Sequence, residues 1–181
     1  MAASPALPGL FLCFAAAVLL IFASVSAPTW NAVYFLQGGE VRYGIFGFTG
    51  SDTSIGYWFM GPDAVNSRAM HNLTFALILH PIAAGLAGLA VLFGICGAGY
   101  HRAGTVLMTL LSGLATIITL IVWVLDMVLF GITRNRFRDN GIPAQYGNAN
   151  WLVLGALVAL LLGFCSSACG IFGSYRRRGT Y

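Results

Sequence analysis

His80 and Asp126 are the residues of this chain best suited to hold or move a proton inside an otherwise apolar segment. An imidazole and a carboxyl group placed together can share a proton, form an ion pair or fix the register of two helices. Asp126 extends a row of polar positions, Thr105, Thr109, Ser112, Thr116, Thr119 and Trp123, spaced alternately four and three residues apart, and Phe130 continues it. That spacing sets the row on one seam of a helix, in the register of left-handed helix packing. Hydroxyls alone imply only packing, since they can bond to backbone carbonyls. An ionised acid turned to lipid is costly, so the seam must face protein.

A second segment offers the acid a partner. His80 precedes Pro81, a residue that kinks helices, and Ala76, Ala84, Ala87 and Gly88 share its face. At a rise of about 1.5 Å per residue, His80 lies about 12 Å below a membrane surface near Asn72, and Asp126 about 9 Å below one near Ile132. These depths agree to within a turn, so a contact between His80 and Asp126, direct or through water, is expected. It reads either as a polar contact that fixes register or as a proton-responsive element. Sequence alone does not choose between them.

The elements that must position these groups are four apolar stretches, Leu7–Thr29, Leu73–Gly97, Gly104–Ile132 and Trp151–Ser174, whose one charged residue is Asp126. Each exceeds the roughly 20 residues that a helix needs to cross a bilayer. The chain is 59% hydrophobic and 8% charged, and a soluble domain cannot hide so much apolar surface behind so few charges. Residues 1–181 therefore read as one all-α membrane domain of four spans. Its spans cover about 7–29, 73–97, 104–132 and 151–174; loops 30–72 and 133–150 lie on one side, and turn 98–103 and tail 175–181 on the other. Val25-Ser26-Ala27 resembles a signal-peptide cleavage site, but no Lys or Arg precedes the first stretch, which is read as a retained span.

The remaining chemistry is sparse. No nucleophile–His–acid set, HExxH motif or nucleotide loop is present, so neither an enzyme nor a cofactor is expected. Cys13, Cys96, Cys165 and Cys169 all lie in or at the ends of spans, which leaves no loop disulfide and no metal-binding spacing. Cys165 and Cys169, one helical turn apart, are packing residues or sites of acylation. The net charge of +4 comes from nine Arg and no Lys. Arg134, Arg136 and Arg138 form one cluster and Arg176, Arg177 and Arg178 another; both abut spans, so lipid headgroups rather than nucleic acid are their partners. One acid and a row of hydroxyls do not make a pore. Four Arg on the termini side against five in the opposite loops leave the orientation undecided.

In the first loop, Val41–Phe48 and Ile55–Met60 read as two short strands that form a small sheet over the helix ends. In the second, Asp139-Asn140-Gly141 followed by Ile142-Pro143 is turn chemistry.

Several runs resemble the fungal PalI family of four-span proteins. They are Asp126–Phe137, with Arg134 and Arg136; Gln145–Trp151, with Tyr146, Asn148 and Trp151; Leu79–Gly85; and Tyr43-Gly44-Ile45-Phe46-Gly47. The resemblance covers nearly the whole chain in order, and Thr49 stands where family members often have cysteine. It implies a plasma-membrane protein with both termini cytosolic. The implied role is in ambient-pH signalling, where such proteins assist a seven-span sensor, PalH, at the plasma membrane. Related four-span proteins organise eisosome membrane domains and influence cell-wall integrity, which makes self-association the alternative partnership. A looser similarity to claudins implies a left-handed four-helix bundle topped by a small extracellular sheet from the first loop.

Overall fold

The computed structural model describes residues 7–61, 66–99 and 102–176. The side chains of 98–99, 102–103 and 169–176 lie outside that description, as do Arg177 and Arg178. Among the described residues, helix α1 spans Leu7–Ser24, strand β1 Leu36–Gly38 and β2 Val41–Tyr43. They are followed by α2 Arg68–Ala76, α3 Leu79–Gly99, α4 Arg102–Asp139, β3 Ala144–Tyr146 and α5 Ala149–Arg176.

Four helical segments among the described residues are long and apolar enough to cross a membrane: Leu7–Ser24, Arg68–Gly97, Gly104–Asp139 and Ala149–Ala168. Hydrocarbon offers no partner for a free N–H or C=O, which is why such sequences become helices. They close into a ring, with α1 between α3 and α5, and α4 between the same two on the other side. The middle of the ring is filled by small residues, Ala16, Ala17, Ala83, Ala84, Ala87, Ala115 and Ala156, with Leu20 and Leu160. Small side chains let helix backbones approach closely where burial of apolar surface gives no advantage over lipid.

Three element boundaries differ from the sequence expectation. The first helix ends at Ser24 rather than near Thr29. Ala27 donates its N–H to Val33 O at 2.9 Å, and the Ser26 hydroxyl accepts from Ile45 N at 3.1 Å, so these residues belong to the loop. The second span breaks at Leu77–Ile78, one turn before Pro81. The third helix continues past Ile132 to Asp139, carrying the fully buried Phe137 into the loop core.

The sheet also differs. Its order is β2-β1-β3, all antiparallel, with Leu36 opposite both Tyr43 and Tyr146. The third strand comes from the second loop, not from Ile55–Met60. That run alternates as a strand would, Tyr57 and Phe59 inward, Trp58 and Met60 outward. Its backbone is engaged elsewhere: Tyr57 N donates to Thr74 Oγ1 at 3.2 Å and Phe59 N to Asn66 Oδ1 at 2.9 Å. Both edges of β1 are already taken. The two loops thus fold as one cap whose aromatic core joins the bundle through Phe130, Phe137 and Val153.

Candidate functional site

Directly beneath the cap, His80 Nε2 lies 3.0 Å from Asp126 Oδ2, and both side chains are fully buried. The proton positions follow from the other ring nitrogen. Pro81 has no N–H, so the carbonyl of Leu77, four residues earlier, cannot receive the helical bond from that position. Leu77 O instead accepts from His80 N at 3.1 Å and lies 3.0 Å from His80 Nδ1. A carbonyl only accepts and has two lone pairs, so Nδ1 carries a hydrogen. One further proton then lies between Nε2 and Oδ2, and the pair is either imidazolium with carboxylate or imidazole with carboxylic acid. In both forms its net charge is zero, which is the condition for burying it in hydrocarbon.

The rest of the seam turns inward as well. Ser112, Thr116 and Thr119 are buried, and Thr105 and Thr109 half-buried. Thr109 Oγ1 donates to Thr105 O at 2.9 Å, Ser112 Oγ to Thr109 O at 3.0 Å, Thr116 Oγ1 to Ser112 O at 2.7 Å and Thr119 Oγ1 to Ala115 O at 2.7 Å. These hydroxyls are satisfied by their own helix. On the same seam, Trp123 Nε1 and Asp126 Oδ1 are buried without a hydrogen-bond partner among the described residues, a donor and an acceptor three residues apart. The buried members of the seam thus meet the bundle's own interior.

The loop motifs hold a lid on this pair. Phe35 packs its ring against the His80 ring edge-on at 5.2 Å and stacks on Phe130 at 5.3 Å. Its backbone is fixed by the 145–151 run: Gly147 N donates to Phe35 O at 2.8 Å and Asn150 Nδ2 to the same oxygen at 2.7 Å. Asn148 binds the neighbouring chain twice, accepting from Tyr34 N at 3.1 Å and donating to Ala32 O at 2.8 Å. Tyr146 lies under the Arg134 guanidinium at 5.0 Å, a contact within the cap. Arg136 is half-buried beside it on α4, and Trp151 is exposed in the first turn of α5.

The first-loop motif builds the other half. Tyr43 is fully buried and donates to Met60 O at 2.8 Å; Tyr57 donates to Gly44 O at 2.7 Å. Gly44 N bonds Gly47 O at 2.8 Å, and Phe46 packs half-buried against the cap core. Gly44 passes so close to Ala27 that a Cβ would overlap its carbonyl. Burial pushes the Tyr43 phenol up to about 12, against the lowering effect of its bond to Met60. Tyr57 is raised well above the ordinary phenol value, by burial first and the adjacent Tyr43 second.

Phe35 and Leu77 carry no signal of their own in the sequence. Leu77 could have been found through Pro81, whose missing N–H releases the carbonyl four residues back. Cys13 is buried, while Cys96 and Cys165 are exposed thiols. Cys169 and Arg176, by their side chains, and Arg177 and Arg178 altogether, lie outside the described residues. Among the described residues no cluster of His, Cys, Asp and Glu could hold a metal ion.

No curated protein matches the chain. A sequence profile of the SUR7/PalI family matches residues 5–166, which takes in the first three spans, both loops that form the cap and most of the fourth span. This multi-pass membrane protein, with its polar pair sealed under a two-loop cap, belongs to the SUR7/PalI family.

Proposed function

We propose that the protein is a non-enzymatic plasma-membrane accessory of ambient-pH signalling, with both termini cytosolic, that assists the localisation or stability of a seven-span, PalH-like sensor. The observation that carries this reading is the inward turn of His80, Asp126 and the hydroxyl seam in a SUR7/PalI chain. With that pair and the seam turned inward, the outward faces are apolar, as at Phe11, Leu92, Leu110, Ile117 and Leu162. Such a surface engages lipid and the apolar helices of neighbours. Arg176, Arg177 and Arg178 hold anionic headgroups in this reading, and the exposed Cys165, with Cys169, is a candidate for acylation.

Deletion of the gene is expected to remove a fluorescent seven-span sensor from the plasma membrane and to impair growth at alkaline pH. If the sensor stays in place and growth is normal, the reading is wrong. The alternative is an organiser of eisosome-like membrane domains and cell-wall integrity, acting by self-association. It is favoured by Gly85 and Gly88 on α3, where a Cβ would meet nothing within 4 Å and another helix could approach. Immobile clusters that persist in cells without the sensor would decide for it.

A further inference from the structure

The run Ile55–Met60 presents a face that the cap does not use. Tyr57 and Phe59 point into the core, while Ile55, Trp58 and Met60 are 51%, 50% and 57% exposed. Trp58 stacks flat on His71 of α2, with centroids 4.2 Å apart and 5° between the planes. His71 meets the exposed Phe75 edge-on at 5.0 Å, and Gly56 backs directly onto the Phe75 ring. These side chains make one patch along the outside of α2.

The patch is ordered by polarity along the helix. Exposed Arg68 stands at the outer end, His71 with Trp58 in the middle, and exposed Phe75 at the inner end, followed on α3 by exposed Ile82 and Leu89. From Arg68 to Phe75 the helix rises about 10 Å, somewhat more than the roughly 6 Å of headgroup region in each leaflet. Charged, aromatic and aliphatic side chains in that order match the layers of a leaflet. Trp30, after α1, and Trp151, in the first turn of α5, are also exposed at this end of the bundle. Three exposed Trp side chains, two in the first loop and one on α5, thus lie at one end of the bundle, as in an interfacial belt. Beyond the break at Leu77–Ile78, the exposed Ile82 and Leu89 continue the apolar order on α3.

The geometry points to a phospholipid-binding surface: the Ile55–Met60 segment lies in the bilayer interface, with Ile55, Trp58 and Met60 seated among glycerol and upper acyl groups. The loop is then a membrane contact as well as part of the cap. It fixes how deep the His80–Asp126 pair sits. Seating of this segment is independent of which partner the bundle serves.

The test uses the full chain in phospholipid nanodiscs, with Trp30, Trp123 and Trp151 changed to Phe so that Trp58 reports alone. Its emission is expected to be blue-shifted, and to be quenched more by lipid brominated near the glycerol end of the acyl chains than by aqueous iodide. If the triple variant does not fold, the difference between the unmodified protein and Trp58→Phe isolates the same signal. Quenching by iodide at least as strong as by bromolipid would place the segment in water and overturn the proposal. Shielding from both quenchers would mean that another protein covers it, and would overturn it equally.

Discussion

Asp126→Asn and Asp126→Leu should differ sharply in stability, because the hydrogen on His80 Nδ1 is held by Leu77 O. With that tautomer, neutral His80 presents a lone pair at Nε2, 3.0 Å from the position of Asp126 Oδ2. An asparagine amide turned to donate there replaces the shared proton, so a hydrogen bond is kept and only its charge assistance is lost, at most about 1 kcal/mol. Leucine offers no donor and leaves Nε2 buried and unpaired, which costs about 1–3 kcal/mol before any misfit in shape. His80→Leu is worse, since it strands a carboxyl group in the interior at about 3–5 kcal/mol. The double variant His80→Leu/Asp126→Leu removes both polar groups together, and replacing a buried pair by apolar side chains is often close to neutral. The two single losses thus add to at least about 4 kcal/mol, while the double variant loses at most about 1 kcal/mol. Reversible unfolding in mixed detergent micelles measures all four variants on one scale. If asparagine destabilises as much as leucine, the hydrogen is not on Nδ1 and the tautomer is wrong. If the double variant loses the sum of the single ones, the two residues do not act as a pair.

Three other outcomes follow from the cap. Phe35→Ala removes the ring that seals His80, at a cost of about 3–5 kcal/mol, and should turn that imidazole from protected to reactive toward diethylpyrocarbonate; unchanged protection would mean that Phe35 is no lid. Gly147→Ala drives a methyl group into the Tyr34 carbonyl and should cost at least about 1–3 kcal/mol and expose the loops to protease. Gly155→Ala, whose Cβ would meet Leu19 at an ordinary 3.6 Å, should be neutral or stabilising, and equal effects of the two substitutions would refute the close-approach argument. The native chain keeps the Tyr43 proton to about 12, whereas the unfolded chain loses it near the ordinary value of 10. The native state therefore binds more protons between those values, and stability, complete below pH 10, should fall by roughly 2–3 kcal/mol as pH rises through that window. Denaturation midpoints measured against pH should show a shallower decline in Tyr43→Phe.

The sequence by itself determined the class of molecule and the level of its polar groups. Four long runs with a single acid leave only membrane spans, because free backbone groups cannot persist in hydrocarbon. The alternating four-and-three spacing set Thr105 to Asp126 on one seam, and helical rise placed His80 at a matching depth. The tertiary structure decided where that seam faces: inward, onto the bundle's own His80, and not toward a neighbour. It also decided the sheet. Strand propensity favoured Ile55–Met60, yet β1 pairs with Ala144–Tyr146 from the other loop, since pairing depends on which backbone groups stay free once Thr74 and Asn66 have taken theirs. Local pattern records which residues can pair; which of them do is settled only when distant segments compete for the same donors and acceptors.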